Sequence, residues 1–253
     1  MTGGPLADLT VVEMTGHRAG PFCGALLADM GADVVKIERP GAGDPARSQG
    51  VGPDGKSGYF MANNRNKRSV TLDLKSDAGT EAALSLLEEA DVFIENFGYG
   101  VTDKLGVGYE DVTELNPEIV YASIKGYGET GPRKKQAGLD LILQAEGGIM
   151  SVTGPEGGEP VKVGQAIGDL TTGMFTAIGL LARLYERGHL GDGDDESFNG
   201  KFDVGLFDSI VTLMNEYLTS YSMDGSVPGP QGTSHQTLVP YQRFETADGA
   251  LVT

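Results

Sequence analysis

The stretch GQAIGDLTTG, residues 164–173, sets a single carboxylate, Asp169, between glycines and an apolar run. Two chemistries suit that placement. Asp is a favoured N-cap, and Thr172 with the apolar helix follows at once, so Asp169 reads as the residue that starts a helix. A carboxylate at a helix tip can also attack a thioester to give a mixed anhydride, which the released thiolate reopens. The partial positive charge of the helix N-terminus would keep such a group ionised. Gly164, Gly168 and Gly173 would leave room for a bulky acyl group. Local pattern leaves both roles open.

Other reactive residue types are sparse. Cys23 is the one cysteine and falls on the inner side of a helical pattern, which reads as core rather than nucleophile. His17, His189 and His235 are too dispersed for a histidine metal site, so no metal is expected. Neither G-x-S-x-G nor a P-loop occurs. The loop TGHRAGP has glycines only at 16 and 20 and does not match G-x-G-x-x-G, although Glu38 ends the second strand where a dinucleotide fold places its ribose-binding acid. His17 and Arg18 either face a ligand there or are exposed loop residues. Basic residues cluster at Arg65, Lys67 and Arg68, at Arg39, Lys75 and Lys104, and at 133–135. Such positive islands suit a phosphorylated ligand, or are solvated cations among abundant acid.

Regular elements must position these groups. LTVVEM (9–14), PFCGALLADM (21–30) and DVVKIE (33–38) read as strand, helix and strand, with Pro21 in the first helical turn and Gly31 at the C-terminal cap. That βαβ unit implies a parallel sheet. DAGTEAALSLLEEA (77–90) is a helix, DVFIENF (91–97) a strand, YEDVTELN (109–116) a short helix and EIVYASI another strand. DLILQAEGGIMS (140–151) reads as a helix weakened by its glycine pair. The longest helix is expected over 171–188, and 200–218 begins as a strand and turns helical near Phe207. Residues 1–223 form one large α/β domain in this reading, 224–237 a Gly/Pro/Ser-rich linker, and 238–253 the opening hairpin of a smaller domain turning at Asp248-Gly249. The chain ends before that domain could close, so it is expected to be truncated.

Composition narrows the partners. With 36 acidic and 19 basic residues, the formal charge is -17. Nucleic acid and anionic membrane surfaces would repel it, and no apolar run is long enough to span a bilayer. The acid is scattered, densest at GDGDDE (191–196), as in a protein adapted to high salt. The N-terminus lacks a signal-peptide pattern, and a soluble cytoplasmic protein is expected.

Several stretches, in order, resemble the class III coenzyme A transferases, a family that includes the α-methylacyl-CoA racemases. They are AGPFCGALLADMGADVVKIERPGAGD, NRNKRSVTLDLKS, ADVFIENFGYGVTDKLGVGYEDVTELNPEIVYASIKGYGETGP, QAEGGIMSVTG, GDLTTG and GKFDVGLFDS. The resemblance implies a Rossmann-like large domain, a smaller second domain, and full-length chains interlocked as a homodimer. It implies no permanently bound cofactor, only a coenzyme A thioester as substrate. Asp169 would be the nucleophile, passing through mixed-anhydride and aspartyl-CoA intermediates. Coenzyme A would meet Arg18, Arg39, Leu72, Lys75, Asn96, Phe97 and Lys104, the last standing where an arginine is common. His17 and Asp140 are candidate substrate residues. Racemases carry His in a Gly-His-Asp triplet, whereas this chain has Gly138-Leu139-Asp140. Leucine cannot move a proton, so transferase is favoured over racemase or a non-catalytic CoA-binding chain. With His17, Arg18 and residues 133–135 nearby, the expected acceptor is a dicarboxylate such as mesaconate, malate or citramalate, with succinyl-CoA a candidate donor.

Overall fold

A computed structural model describes residues 3–189, 198–235 and 237–252; the acidic cluster at 191–196 lies outside the described residues. The first four strands are β1 (Thr10–Met14), β2 (Asp33–Glu38), β3 (Lys67–Thr71) and β4 (Val92–Glu95). With β5 (Val120–Lys125) and β6 (Lys201–Gly205) they form a six-stranded sheet in the order β3-β2-β1-β4-β5-β6. Every pairing in it is parallel. This is the order of a doubly wound dinucleotide-type fold, without its glycine fingerprint.

The hydrophobic pattern explains the layering. β2, β4 and β5 are buried almost throughout, as strands covered on both faces must be. Alternate residues divide between two cores. Val11, Val34, Ile94 and Ala122 pack with Cys23 and Leu27 of α1 (Ala19–Asp29) on one face. Val12, Ile37, Phe93 and Tyr121 pack on the other with Ala83 and Leu87 of a helix over Asp77–Glu88. Cys23 is fully buried and burial pushes its thiol up, so it is core.

Between β2 and that helix the chain makes a 3-10 turn at Pro45–Ser48 and α2 (Gly58–Asn64); the helix over Asp77–Glu88 is α3. Beyond β4 come α4 (Val101–Lys104) and α5 (Tyr109–Thr113), and after β5 comes α6 (Asp140–Glu146). The glycine pair at 147–148 ends α6, and Ile149–Val152 forms a separate 3-10 turn, so no helix runs over 140–151. α7 (Ile167–Arg187) follows, then α8 (Leu206–Leu213) and α9 (Asn215–Asp224). The final pair, β7 (Arg243–Thr246) and β8 (Gly249–Val252), is an antiparallel hairpin in which Thr246 faces Gly249. Its turn residues are therefore Ala247 and Asp248, one place before the Asp-Gly pair expected from the sequence.

Two differences from the sequence reading bear on the site. β3 is an edge strand made of KRSVT, with an irregular, half-exposed pattern that gives no alternation to read. α7 starts four residues earlier than expected, so Asp169 is its third residue rather than its N-cap.

Candidate functional site

All six strands end on the same side, which brings their following loops to one edge. The strand order reverses between β1 and β4, where open α/β sheets hold their ligands. Asn96, just past β4, bridges the two loops there. Its Oδ1 accepts the Gly16 amide at 2.9 Å and its Nδ2 donates to the Gly16 carbonyl at 2.8 Å.

The β1–α1 loop is fixed from below by buried charge. Lys36 donates to the Thr15 carbonyl at 2.7 Å and pairs with Glu13 at 3.2 Å and Asp44 at 3.1 Å. Lys67 closes on Glu13 at 2.8 Å. Asp44 accepts the amide of His17, which sits in the left-handed region at φ 64°. Four buried charges thus satisfy one another and impose an uncommon backbone conformation on a histidine at the cleft.

Two adjoining cavities open at this edge. One, of about 320 Å³, is lined by His17, Arg39, Asp44, Asn96 and Phe97 among others. The second, of about 430 Å³, brings together His17, Arg18, Tyr59, Leu139, Asp140 and Asp169, again with Asn96 and Phe97. Lys75 and Lys104 lie apart from both, in a groove between α3 and α4 that also holds Asp77, Glu81 and Glu88. Leu72 follows β3, partly buried against the core of the α3 face, with its amide bonded to the Glu38 carbonyl. The islands read from the sequence therefore separate, with Arg39 at one site and Lys75 with Lys104 at another.

Other basic residues are consumed by neighbours. Arg65 pairs with Asp29, Arg68 with Asp33 and Lys67 with Glu13, so that cluster offers no free cation to a phosphate. Arg133 pairs with Glu146 at 2.8 Å and lies over the Tyr127 ring, which removes it from the expected acceptor site. Glu38 turns inward to Arg47, Ser69 and the Asp44 amide. Burial alone would raise its carboxyl, but these bonds hold it at about 2, and it is no ribose ligand.

Asp169 projects from the first turn of α7, and no hydrogen bond to its carboxylate occurs among the described residues. Burial and the neighbouring Asp140 push it up to about 6, against a smaller pull from Arg18. Desolvation and like charge thus outweigh the helix tip in setting the acidity of Asp169, which at about 6 is still ionised at neutral pH. Capping falls instead to Asp140, whose Oδ1 accepts the Gly168 amide at 2.8 Å and whose Oδ2 accepts from Gln144 at 2.7 Å. Gln144 in turn accepts the Val163 amide, tying the segment before α7 to α6.

The glycines serve packing more than acyl space. A Cβ at Gly168 would lie 3.0 Å from Asp140 Oδ1, and one at Gly173 would lie 2.7 Å from the Ala19 carbonyl. Only Gly164 of the three faces open space. Tyr59, Gln144 and Gln165 belong to this site and went unread in the sequence. Tyr59 reaches the site from a distant element, whereas Gln165 lies four residues before Asp169 and Gln144 one turn beyond Asp140, where a neutral amide carries no signal of its own.

The family model for CoA-transferase family III matches residues 6–253. The chain belongs to that family. It is 46% identical to the succinyl-CoA:mesaconate CoA-transferase of Haloarcula hispanica, over 98% of this chain and 63% of the relative. It is 41% identical to the succinyl-CoA:glutarate CoA-transferase of Mus musculus, over 98% of this chain and 56% of the relative. A CAIB/BAIF family protein from Brucella suis superimposes with a TM-score of 0.88 at 38% identity, covering 99% of this chain and 66% of that one. This family III chain thus spans about six-tenths of the length of the curated relatives it matches. Within its described residues no helix is long and apolar enough to cross a membrane, and no cluster of three or more His, Cys, Asp or Glu is placed to hold a metal ion.

Proposed function

We propose that the protein moves coenzyme A from an acyl-CoA donor, succinyl-CoA, to a free dicarboxylic acid. The observation that carries the reading is Asp169, a carboxylate free of hydrogen bonds in a cavity it shares with Arg18 and Tyr59. A carboxyl at about 6 is ionised at neutral pH and more nucleophilic than an ordinary aspartate. The family's mechanism fits it. Asp169 attacks the thioester carbonyl, the C–S bond breaks, and a mixed anhydride forms with release of CoA thiolate. The thiolate attacks the Asp169 carbonyl of the anhydride, expels the donor carboxylate and leaves aspartyl-CoA. The acceptor carboxylate then attacks that thioester, displacing the thiolate and forming a second anhydride. Attack of the thiolate on the acceptor carbonyl yields the new acyl-CoA and frees Asp169.

In this reading Arg39, Asn96 and Phe97 contact the coenzyme at the β1–β4 crevice, with Leu72, Lys75 and Lys104 toward its adenine and phosphates. His17 and Asp140 face the acyl group. Mesaconate, malate, citramalate and glutarate are the acceptors to screen, three of them C4–C5 acids expected from the sequence and the last taken from a relative's name. The racemase alternative lacks its second base, since Leu139 stands at the cavity wall. The full-length protein acts as an interlocked homodimer with residues 238–253 opening its second domain, in the cytoplasm where acyl-CoA pools lie, and its charge of -17 fits a high-salt milieu.

The test incubates the full-length protein with succinyl-CoA and hydroxylamine and looks for a hydroxamate at Asp169 by mass spectrometry. An active enzyme without modification at Asp169 defeats the mechanism. Deuterium entering the α-carbon of a 2-methylacyl-CoA, with no acceptor present, would favour the racemase.

A further inference from the structure

In a chain with excess acid, arginines find carboxylates. Arg47, Arg65, Arg68, Arg133, Arg183, Arg187 and Arg243 are each ion-paired. Arg18 and Arg39 have no such pair among the described residues, and Arg39 is exposed at the end of β2 with its Nε on the Gly43 carbonyl. Arg18 differs in being half-buried within the Asp169 cavity.

Its guanidinium is preorganised. It lies 4.6 Å over the Tyr59 ring, and Nη1 reaches Gln165 Oε1 at 3.4 Å. Its Nε is buried and lacks a hydrogen-bond partner. Neither acid in the cavity forms an ion pair with it among the described residues: Asp140 is engaged by Gly168 and Gln144, and Asp169 feels its charge only from beyond ion-pair distance. Lys134, the other half-buried cation there, turns toward the Tyr99 ring. A planar cation held by stacking, with donors left over, recognises a carboxylate. The substrate end that enters this cavity is the acyl end, because it must reach Asp169.

We propose that Arg18 is a specificity-determining residue that pairs with the free, non-reacting carboxylate of a dicarboxylate, both in the acyl donor and in the acceptor. This rests on the transferase reading above and moves Arg18 from the coenzyme to the acyl group. One cation serves both half-reactions, because donor and acceptor occupy the same place beside Asp169 in turn. A monocarboxylate of equal length would leave the guanidinium desolvated and unpaired, which is the kind of mismatch that discriminates strongly.

The experiment measures adduct formation at Asp169 in the full-length wild type and in Arg18→Gln and Arg18→Lys, with succinyl-CoA and with butyryl-CoA, which has the same chain length but no second carboxylate. Arg18→Gln should lose about 10²-fold or more with succinyl-CoA and less than about 3-fold with butyryl-CoA, with Arg18→Lys between. Inhibition by free coenzyme A should not change. Equal losses with both donors, or weakened inhibition by coenzyme A, would return Arg18 to the coenzyme and overturn the proposal. Thermal melts identify a misfolded variant, in which case Arg18→Lys alone decides by the same ratio. A wild type that forms no adduct with either donor defeats the transferase reading itself, whereas a reactive wild type whose preference survives in Arg18→Gln defeats only the role of Arg18.

Discussion

Asp140 Oδ1 accepts the Gly168 amide at 2.8 Å, so the helix presenting Asp169 is capped by a carboxylate 28 residues away in sequence. The same charge faces Asp169 and makes it a stronger base. One side chain thereby orients the reactive residue and tunes it.

Asp169→Asn should reduce transferase turnover by on the order of 10³-fold or more, since an amide cannot form the anhydride. It should also stabilise the fold. The folded-state carboxyl at about 6 lies above its ordinary 3.8, so its contribution to stability falls as pH rises through that window. Above it the charged form costs at most ~3 kcal/mol, and solvent in the cleft brings the expected gain nearer ~1 kcal/mol. Urea titrations should show the gain at pH 8 and none below pH 4.

Asp140→Asn removes the like charge beside Asp169 and should move the acidic limb of the rate profile below its wild-type midpoint near 6. Asp140→Ala removes the cap as well and should cost about 1 kcal/mol of stability. Single-turnover adduct formation between pH 4 and 8 measures the first, and denaturant melts the second.

Lys36→Met leaves Asp44 without its cation and Glu13 with Lys67 alone inside the β1–α1 layer. Loss of one partner from a buried ion network costs about 3–5 kcal/mol, far more than loss of a surface pair such as Arg68–Asp33. Urea unfolding of Lys36→Met beside Arg68→Met checks the contrast.

A net charge of -17 predicts that molar KCl raises the melting temperature by screening self-repulsion, at about 2–4 °C per kcal/mol gained. A melting temperature that falls between 0.1 and 2 M KCl would refute the adaptation.

The sheet was legible wherever burial made it so. β1, β2, β4 and β5 each hold a short apolar core such as VV or VFI, and the βαβ rhythm makes their sheet parallel. β3 escaped because Lys67 and Arg68 look like surface cations, yet Lys67 points inward to Glu13. Asp169 was visible as a chemically able residue, but its neighbourhood was not. GQAIG resembles a loop, and the true cap comes from Asp140 on another helix, a relation no local window contains. Glu38 stands where a dinucleotide fold places its ribose-binding acid, but without the glycine fingerprint, and its partners Arg47 and Ser69 give it a structural role.

Gly173 lies in the first half of α7 where it crosses the start of α1, and its missing side chain lets that helix rest on the Ala19 carbonyl. Arg18 precedes α1 and Asp169 opens α7, so the gap between cation and nucleophile is set by how closely two backbones approach. That contact works as a caliper. A methyl group added there would press on Ala19, itself part of the cavity wall, and widen the jaws, and substrates one carbon longer would become the better fit.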